Sequence, residues 1–524
     1  MHLIHVRLIS FFYIAYIVLL VSFSLKGFPQ NMNDGHFLPY LSERPIGEDA
    51  YYMLTIAWNV GSGYGPVYNY DTPATGVQPL ATMLYAMLAW FVQKIGGGIW
   101  LFLRFILLLK GLELLLFGHI IGKIAHRLAP LHIKNDAYFF GLLGVVYNFS
   151  LFRLFTYGLE TGIYLILFAS CVLYSFMFFR EKPSLKMAIT FGILGGLTIW
   201  ARIDFGIVFF SFLGLITIMR NLKLPLSIIA GIFAIATSSP WFLYVFSVSN
   251  RWIPSSGPAQ SGIITLQNAF SRISEMGVAI LEHLTPWFYF EVRYEMLTSI
   301  SFFSLIVFVS FLMTKKKAMK TYQIKNNTPI IIWLIAISIL IIIYITMFRA
   351  THFYMRYSSP LVIPVVVAMA ILISKRVAES KILFFTITTI FVVSFLGWAY
   401  LSLHTGRIGV SFPVTAGFIQ EYYSGKKVGA FQSGVIGFFN PNVINLDGKV
   451  NQTALDYTAQ DKIHEYIDNE QIDILIDWQG IIYSEIKDTQ WLKQHWEKCA
   501  FQVADDIQQT LCLQRKTIPT TITP

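Results

Sequence analysis

Residues 8–25, LISFFYIAYIVLLVSFSL, contain no charged side chain. As a helix rising 1.5 Å per residue, such a run covers most of the roughly 30 Å of hydrocarbon in a bilayer. Runs of comparable character begin near Leu8, Trp100, Ala137, Leu159, Met187, Phe205, Pro225, Leu297, Thr328, Ser358 and Ile382, which reads as eleven transmembrane helices. Composition agrees, with 55% hydrophobic and 13% charged residues, where a soluble domain carries about a quarter charged. No A-x-A-like cleavage site follows the first run, so it is read as a retained helix and not a signal peptide.

One apolar stretch does not fit this series. LATMLYAMLAWFV, residues 80–92, is short for a span and suits an interfacial or re-entrant helix better. Leaving it at the surface places the basic clusters Lys123/Arg127/Lys134, Arg180/Lys182/Lys186, Arg220/Lys223, Lys315/Lys316/Lys317/Lys320/Lys325 and Lys375/Arg376/Lys381 on one side with Arg7. That side is then cytoplasmic by the positive-inside rule. The net charge of +10 thus orients a membrane protein, and nucleic acid is not expected as a partner.

Three segments are expected on the opposite, outer side: a first loop of about residues 26–99, a middle loop of about 250–296, and a tail from 402. The tail differs in character, with 10 Lys+Arg against 14 Asp+Glu. VGAFQ and VINLD read as strands, DKIHEYIDNE as a helix and IDILIDW as a strand, a soluble α/β pattern. The expected organisation is a transmembrane domain over 1–401 and an extracytoplasmic α/β domain over 402–524. GAFQSGVIG superficially suggests a nucleotide loop, but its glycines do not match G-x-G-x-x-G. Cys171 lies in an apolar run and reads as packing. Cys499 and Cys512 flank a strand–turn–strand pattern, and a disulfide is open to them if that end lies outside the cytoplasm.

The polar residues of the outer side are the candidates for chemistry. Glu48 and Asp49 open a helix that Gly61 would end, and a second helix follows Pro73 and Pro79. Carboxylates at a helix start are favoured by its dipole, so capping remains an alternative to catalysis for Asp49. Glu160 stands at one helix mouth, Arg202 and Asp204 in a tight turn between two helices, and Arg349, His352 and Arg356 at a third mouth. Charges beside spans are costly and either pair or line a watery cavity. Arg202 has Asp204 or Glu160 as a purely structural partner, and Lys110 and Glu113, three apart inside one span, are expected to neutralise each other. Functionally, a carboxylate can take a proton from a hydroxyl and guanidinium groups can hold a phosphate leaving group.

Several motifs together resemble the C-type (GT-C) membrane glycosyltransferases, in the protein-mannosyltransferase-like and terminal arabinofuranosyltransferase-like branches. They are E-D-A-Y-Y with G-x-G-Y-G in the first loop, Y-G-L-E-T at 157–161, A-R-I-D at 201–204 and F-Y-M-R-Y-S-S-P at 353–360. In the tail, VGAFQSGVIGFF and VINLDGKVN resemble the start of that group's extracytoplasmic domain. The resemblance implies an inverting transfer of a sugar from a polyprenyl-phosphate carrier to an acceptor hydroxyl of a glycan, lipid or protein. The reaction would occur on the outer face of a bacterial cytoplasmic membrane. It implies Asp49 as catalytic base, with Glu48 as its partner, or as a ligand if a divalent cation such as Mg or Mn is used. Arg202 and Arg356 would meet the phosphate, with Glu160, Asp204 and His352 beside the substrate. Gln78–Pro79 departs from the polar pairs common in relatives, which bears on substrate identity. The alternative from another class is a transporter or flippase for lipid-linked sugars, which the lack of an internal repeat disfavours.

Overall fold

The computed structural model describes residues 2–30, 38–69, 73–180, 182–219, 222–284, 328–378, 380–404, 411–500, 503 and 510–516. Most of these residues are helical, and the strands are confined to the tail. Among the described residues five helices are long and apolar enough to cross a membrane: Val6–Phe23, Thr161–Phe179, Leu224–Ser249, Thr328–Met347 and Thr351–Val377. Leu131–Val146 and Phe149–Thr156, bent by 56° to each other, make a sixth if they count as one span. Leu185–Ala201, Phe205–Ile218 and Lys381–Gly397 are apolar but shorter. Ile99–Leu128, thirty residues long, carries Arg104, Lys110 and Glu113 within its length. The run beginning at Leu297 and the lysine cluster at 315–325 lie outside the described residues.

The chain gathers into two compact units. The first comprises Met1–Ser22, Leu107–Phe242 and Gln260–His404, and so most of the candidate spans, with the end of Leu224–Ser249 falling in the second. Its packing is dense and aromatic, with Phe212 stacked on Trp333 at 3.9 Å and Trp333 donating its indole N–H to Ser175 Oγ at 3.1 Å. Lys110 is fully buried, and its Nζ is 2.8 Å from Glu113 Oε2, as their spacing predicts. The same ammonium donates to the Leu159 carbonyl at 2.8 Å. A Cβ at Gly162 would fall on the Glu113 carboxylate, so a glycine is what lets these helices meet there.

The second unit comprises Phe23–Ile106, Leu243–Ala259 and Thr405–Pro524. The first loop thus groups with the tail, and a boundary drawn only at residue 401 divides the chain differently from its contacts. Both expected first-loop helices form, at Glu48–Gly61 and Pro79–Lys94, the second with proline in its first turn. They pack closely because Gly61 has no side chain: a Cβ there would come within 2.7 Å of the Trp90 backbone nitrogen. Pro79–Lys94 is sixteen residues long, about 24 Å, and is not among the membrane-length helices.

The tail carries a five-stranded sheet. Its strands are β1 (Val428–Ala430), β2 (Val443–Asn445), β3 (Ile474–Trp478), β4 (Trp496–Lys498) and β5 (Thr510–Arg515). The order is β2-β1-β3-β5-β4, parallel across β2, β1 and β3 and antiparallel across β3, β5 and β4. Val428 faces both Val443 and Ile474 in register. The core beneath is built by Phe431, Leu446, Ile467, Leu475, Trp491 and Leu513. Cys499 and Cys512 are disulfide-bonded at the end of the β4–β5 hairpin, and Cys171 is a buried free thiol.

Candidate active site

The sequence-selected residues fall into two clusters, one in each unit. The acidic cluster begins where Glu48–Gly61 starts. Its N-cap, Gly47, is extended (φ −87°, ψ 159°), which turns the chain into the helix and brings both carboxylates into the first turn. This end meets the segments that follow β1 and β2, at the carboxyl ends of strands, where open α/β sheets usually hold ligands. Tyr52 OH donates to the Phe431 carbonyl at 3.2 Å and accepts from the Ser433 N–H at 3.0 Å. Tyr68 OH donates to the Ser433 carbonyl at 2.6 Å. Glu48 Oε2 accepts the Val435 N–H at 2.8 Å, and a Cβ at Gly434 would fall on the Glu48 carbonyl. The stretch that superficially suggested a nucleotide loop is therefore occupied by the chain's own first-loop helix.

The two acids sit in different surroundings. Among the described residues Glu48 Oε1 is enclosed without a hydrogen-bond partner. Burial pushes this carboxyl up to about 8, against the opposing pull of the Val435 and Gly434 backbone N–H groups. Asp49 keeps one fifth of its side chain exposed, and its Oδ1 lies 3.4 Å from Lys449 Nζ. The same ammonium is 3.2 Å from Asp447 Oδ2. Burial pulls Lys449 down, but the Asp447 and Asp49 carboxylates outweigh that and hold it well above the usual lysine value. Nearby, Asp477 on β3 accepts the Phe431 and Gln432 N–H groups at 2.8 and 2.7 Å. Burial raises it to about 7 in spite of those bonds. Sequence reading missed Lys449, Asp447 and Tyr52. The only signal was their place in the two motifs already singled out, EDAYY and VINLDGKVN.

This donor set does not fit a divalent cation. Among the described residues no three His, Cys, Asp or Glu side chains gather in a group that could hold a metal ion. Beside Asp49 and Asp447 the ammonium of Lys449 already occupies the cation's place, and burial raises the Glu48 carboxyl, which disfavours its charged form.

The arginine cluster lies in the first unit. Arg202 caps Leu185–Ala201 with an extended backbone, and Asp204 precedes Phe205–Ile218, so the intervening turn points both side chains together. Arg202 binds Asp204 through two bonds, Nε to Oδ1 at 3.1 Å and Nη2 to Oδ2 at 2.6 Å. It also donates to Tyr344 OH at 2.9 Å and to the Arg356 carbonyl at 3.3 Å. Its guanidinium carbon is 5.2 Å from each of the Tyr164 and Tyr357 ring centroids, and only 3% of its side chain is exposed. The structural pairing anticipated for Arg202 is present, and it leaves this arginine enclosed.

Arg356 is more open, with 18% of its side chain exposed, and its Nη2 is 3.2 Å from Glu160 Oε1. That oxygen is also 3.8 Å from Arg202 Nη1. Glu160 stands just ahead of Thr161–Ser175, where its carbonyl accepts the Tyr164 N–H, and the Lys110 bond to Leu159 fixes the residue before it. His352 is exposed, with its ring 4.0 Å from that of Phe353, and Arg349 is exposed too. Gln78, in the second unit, ends the extended segment before Pro79–Lys94, and its carbonyl accepts from Thr82 Oγ1 at 2.8 Å.

No family model matches the chain, and no curated protein matches it. The crystal structure of ArnT from Cupriavidus metallidurans bound to undecaprenyl phosphate is similar over 96% of this chain and 97% of that one, at 12% identity and a TM-score of 0.49. The apo state of the same protein is similar over 97% of each chain, at 13% identity and the same score. With so few residues in common, the chemistry of this chain has to be read from its own side chains.

Proposed function

We propose that this protein is a GT-C-type membrane glycosyltransferase that moves a sugar from a polyprenyl-phosphate carrier to an acceptor hydroxyl on the outer face of the cytoplasmic membrane. The observation that carries the reading is the environment of Asp49: a partly exposed carboxylate beside a fixed ammonium, next to an acid whose carboxyl burial raises, in a chain with several membrane-length helices. The tail disulfide supports placing the second unit in an oxidising compartment outside the cytoplasm. Nucleotide sugars are absent there, so a lipid carrier has to deliver the activated sugar.

The reaction is a single displacement. Asp49 takes the proton of the acceptor hydroxyl, and the oxygen attacks the anomeric carbon. The bond from that carbon to the phosphate oxygen breaks, and polyprenyl phosphate leaves with the electron pair. Attack opposite the leaving group inverts the anomeric centre. Arg356, partly open and held by Glu160 within the first unit, has the chemistry to bind a phosphate. Arg202 shapes the cluster through Asp204 and Tyr344. Guanidinium groups suit the role because they match phosphate oxygens in pairs and stabilise the charge that develops as the bond breaks.

The test is Asp49→Asn in membranes supplied with a radiolabelled undecaprenyl-phosphate sugar, the carrier being the polyprenyl phosphate found in the ArnT crystal. Sugar transfer should fall by about a hundredfold or more with normal expression, within the range by which general-base catalysis contributes. Undiminished transfer by the variant would remove Asp49 as the base. A protein that carries labelled lipid across vesicles without forming a glycosidic product would be a transporter.

A further inference from the structure

Resting on that reading, we propose that Lys449 of the tail is a positioning residue for the Asp49 carboxylate, so that the α/β domain supplies part of the catalytic centre.

Lys449 is fixed from several directions, all within the second unit. Its ammonium bridges Asp49 and Asp447 at 3.4 and 3.2 Å and lies 5.4 Å from the Tyr52 ring centroid. Its backbone N–H donates to Asp447 Oδ1 at 2.8 Å. Its carbonyl accepts from Ser255 Oγ, in the middle-loop segment, at 2.7 Å. A Cβ at Gly76, in the first loop, would fall on that same carbonyl, so the first loop reaches Lys449 only because residue 76 is glycine. The preceding Gly448 has φ +78°, a backbone state other residues resist. Asp447 is itself held by Asn445 Nδ2 at 2.9 Å and by Tyr52 OH at 3.3 Å.

A surface ion pair that merely fastened a domain would need none of this. Such pairs contribute little to stability. Here three segments far apart in sequence set the backbone of one lysine, and its head group rests on the carboxylate assigned to take the proton. Two carboxylates share the one ammonium. Without it, Asp49 and Asp447 face each other as like charges, and among the described residues no other hydrogen-bond donor holds Asp49's oxygens in one orientation. Displacement of a reacting group by about 1 Å costs on the order of a hundredfold in rate.

The experiment compares Lys449→Met, Lys449→Arg and Asp49→Asn in the full-length protein, with radiolabelled undecaprenyl-phosphate sugar as donor. Lys449→Met should lower kcat by about ten- to a hundredfold and leave KM for the donor unchanged. Lys449→Arg, which keeps the cation, should recover much of that loss. A wild-type kcat for Lys449→Met, with Asp49→Asn inactive, overturns this proposal and leaves the reading of the reaction standing. Equal loss of folded protein and of activity in the Met and Arg variants makes Lys449 a tether only, and also overturns it. Full activity of Asp49→Asn defeats the underlying reading itself, whatever the lysine variants do.

Discussion

Replacing Glu48 by glutamine should make stability less sensitive to pH. Burial raises the Glu48 carboxyl from 4.5 to about 8, with Oε1 enclosed and unpartnered and Oε2 on the Val435 N–H. The folded chain therefore keeps a proton that the unfolded chain releases between those two values. This contribution to stability is complete below pH 4.5, declines as pH rises, and is gone above about 8. Each pH unit within the window is worth about 1.4 kcal/mol. Between pH 5 and pH 8 the wild type loses up to about 4 kcal/mol by this route. Glutamine has the shape of the neutral acid, can still accept from Val435, and titrates nowhere in the range. Asp477, raised to about 7 by burial, has the same sign in both proteins and cancels in the comparison. The assay is thermal unfolding of detergent-solubilised wild type and variant, followed by tryptophan fluorescence at pH 5, 6, 7 and 8. The two melting temperatures should draw apart as pH rises, with the variant ahead by several degrees at pH 8. Parallel curves would show that Glu48 is not a buried neutral acid, and the contrast between Glu48 and Asp49 would lose its basis.

Two further outcomes follow from the packing. Lys110→Met leaves the Glu113 carboxylate buried without its partner and should destabilise by about 3–5 kcal/mol, whereas Lys110→Met with Glu113→Leu should be close to neutral; a melting comparison in detergent decides, and equal losses in both would refute the pairing argument. Gly437→Ala would put a Cβ onto the Tyr68 hydroxyl, an overpacking worth about 1–3 kcal/mol. Tyr68→Phe removes that oxygen, so the double variant should lose less than the sum of the single changes.

The helical part of this fold was legible because its signals are local. A long uncharged run reports itself residue by residue, and so do Pro79 in a first turn and the i,i+3 spacing of Lys110 and Glu113. The tail strands β1, β2 and β3 were readable for the same reason, as short apolar runs bounded by turn residues. The number of spans was harder to read, since Leu185–Ala201, Phe205–Ile218 and Lys381–Gly397 are apolar yet shorter than a bilayer crossing, and Ile99–Leu128 mixes apolar length with internal charges.

The sequence by itself determined which residues carry charge among apolar neighbours: Glu48, Asp49, Glu160, Arg202, Asp204 and Arg356. Tertiary structure alone decided how those charges are spent. Arg202 and Asp204 are two residues apart, yet the enclosure of Arg202 depends on Tyr344 and Tyr357, far along the chain. Asp49 meets a lysine 400 residues away. No periodicity or spacing encodes such a pairing, because it comes from the free energy of docking a helix end onto the carboxyl ends of strands. That docking sets the solvation of each carboxyl, leaving Glu48 enclosed with its carboxyl raised by burial while Asp49 stays beside an ammonium.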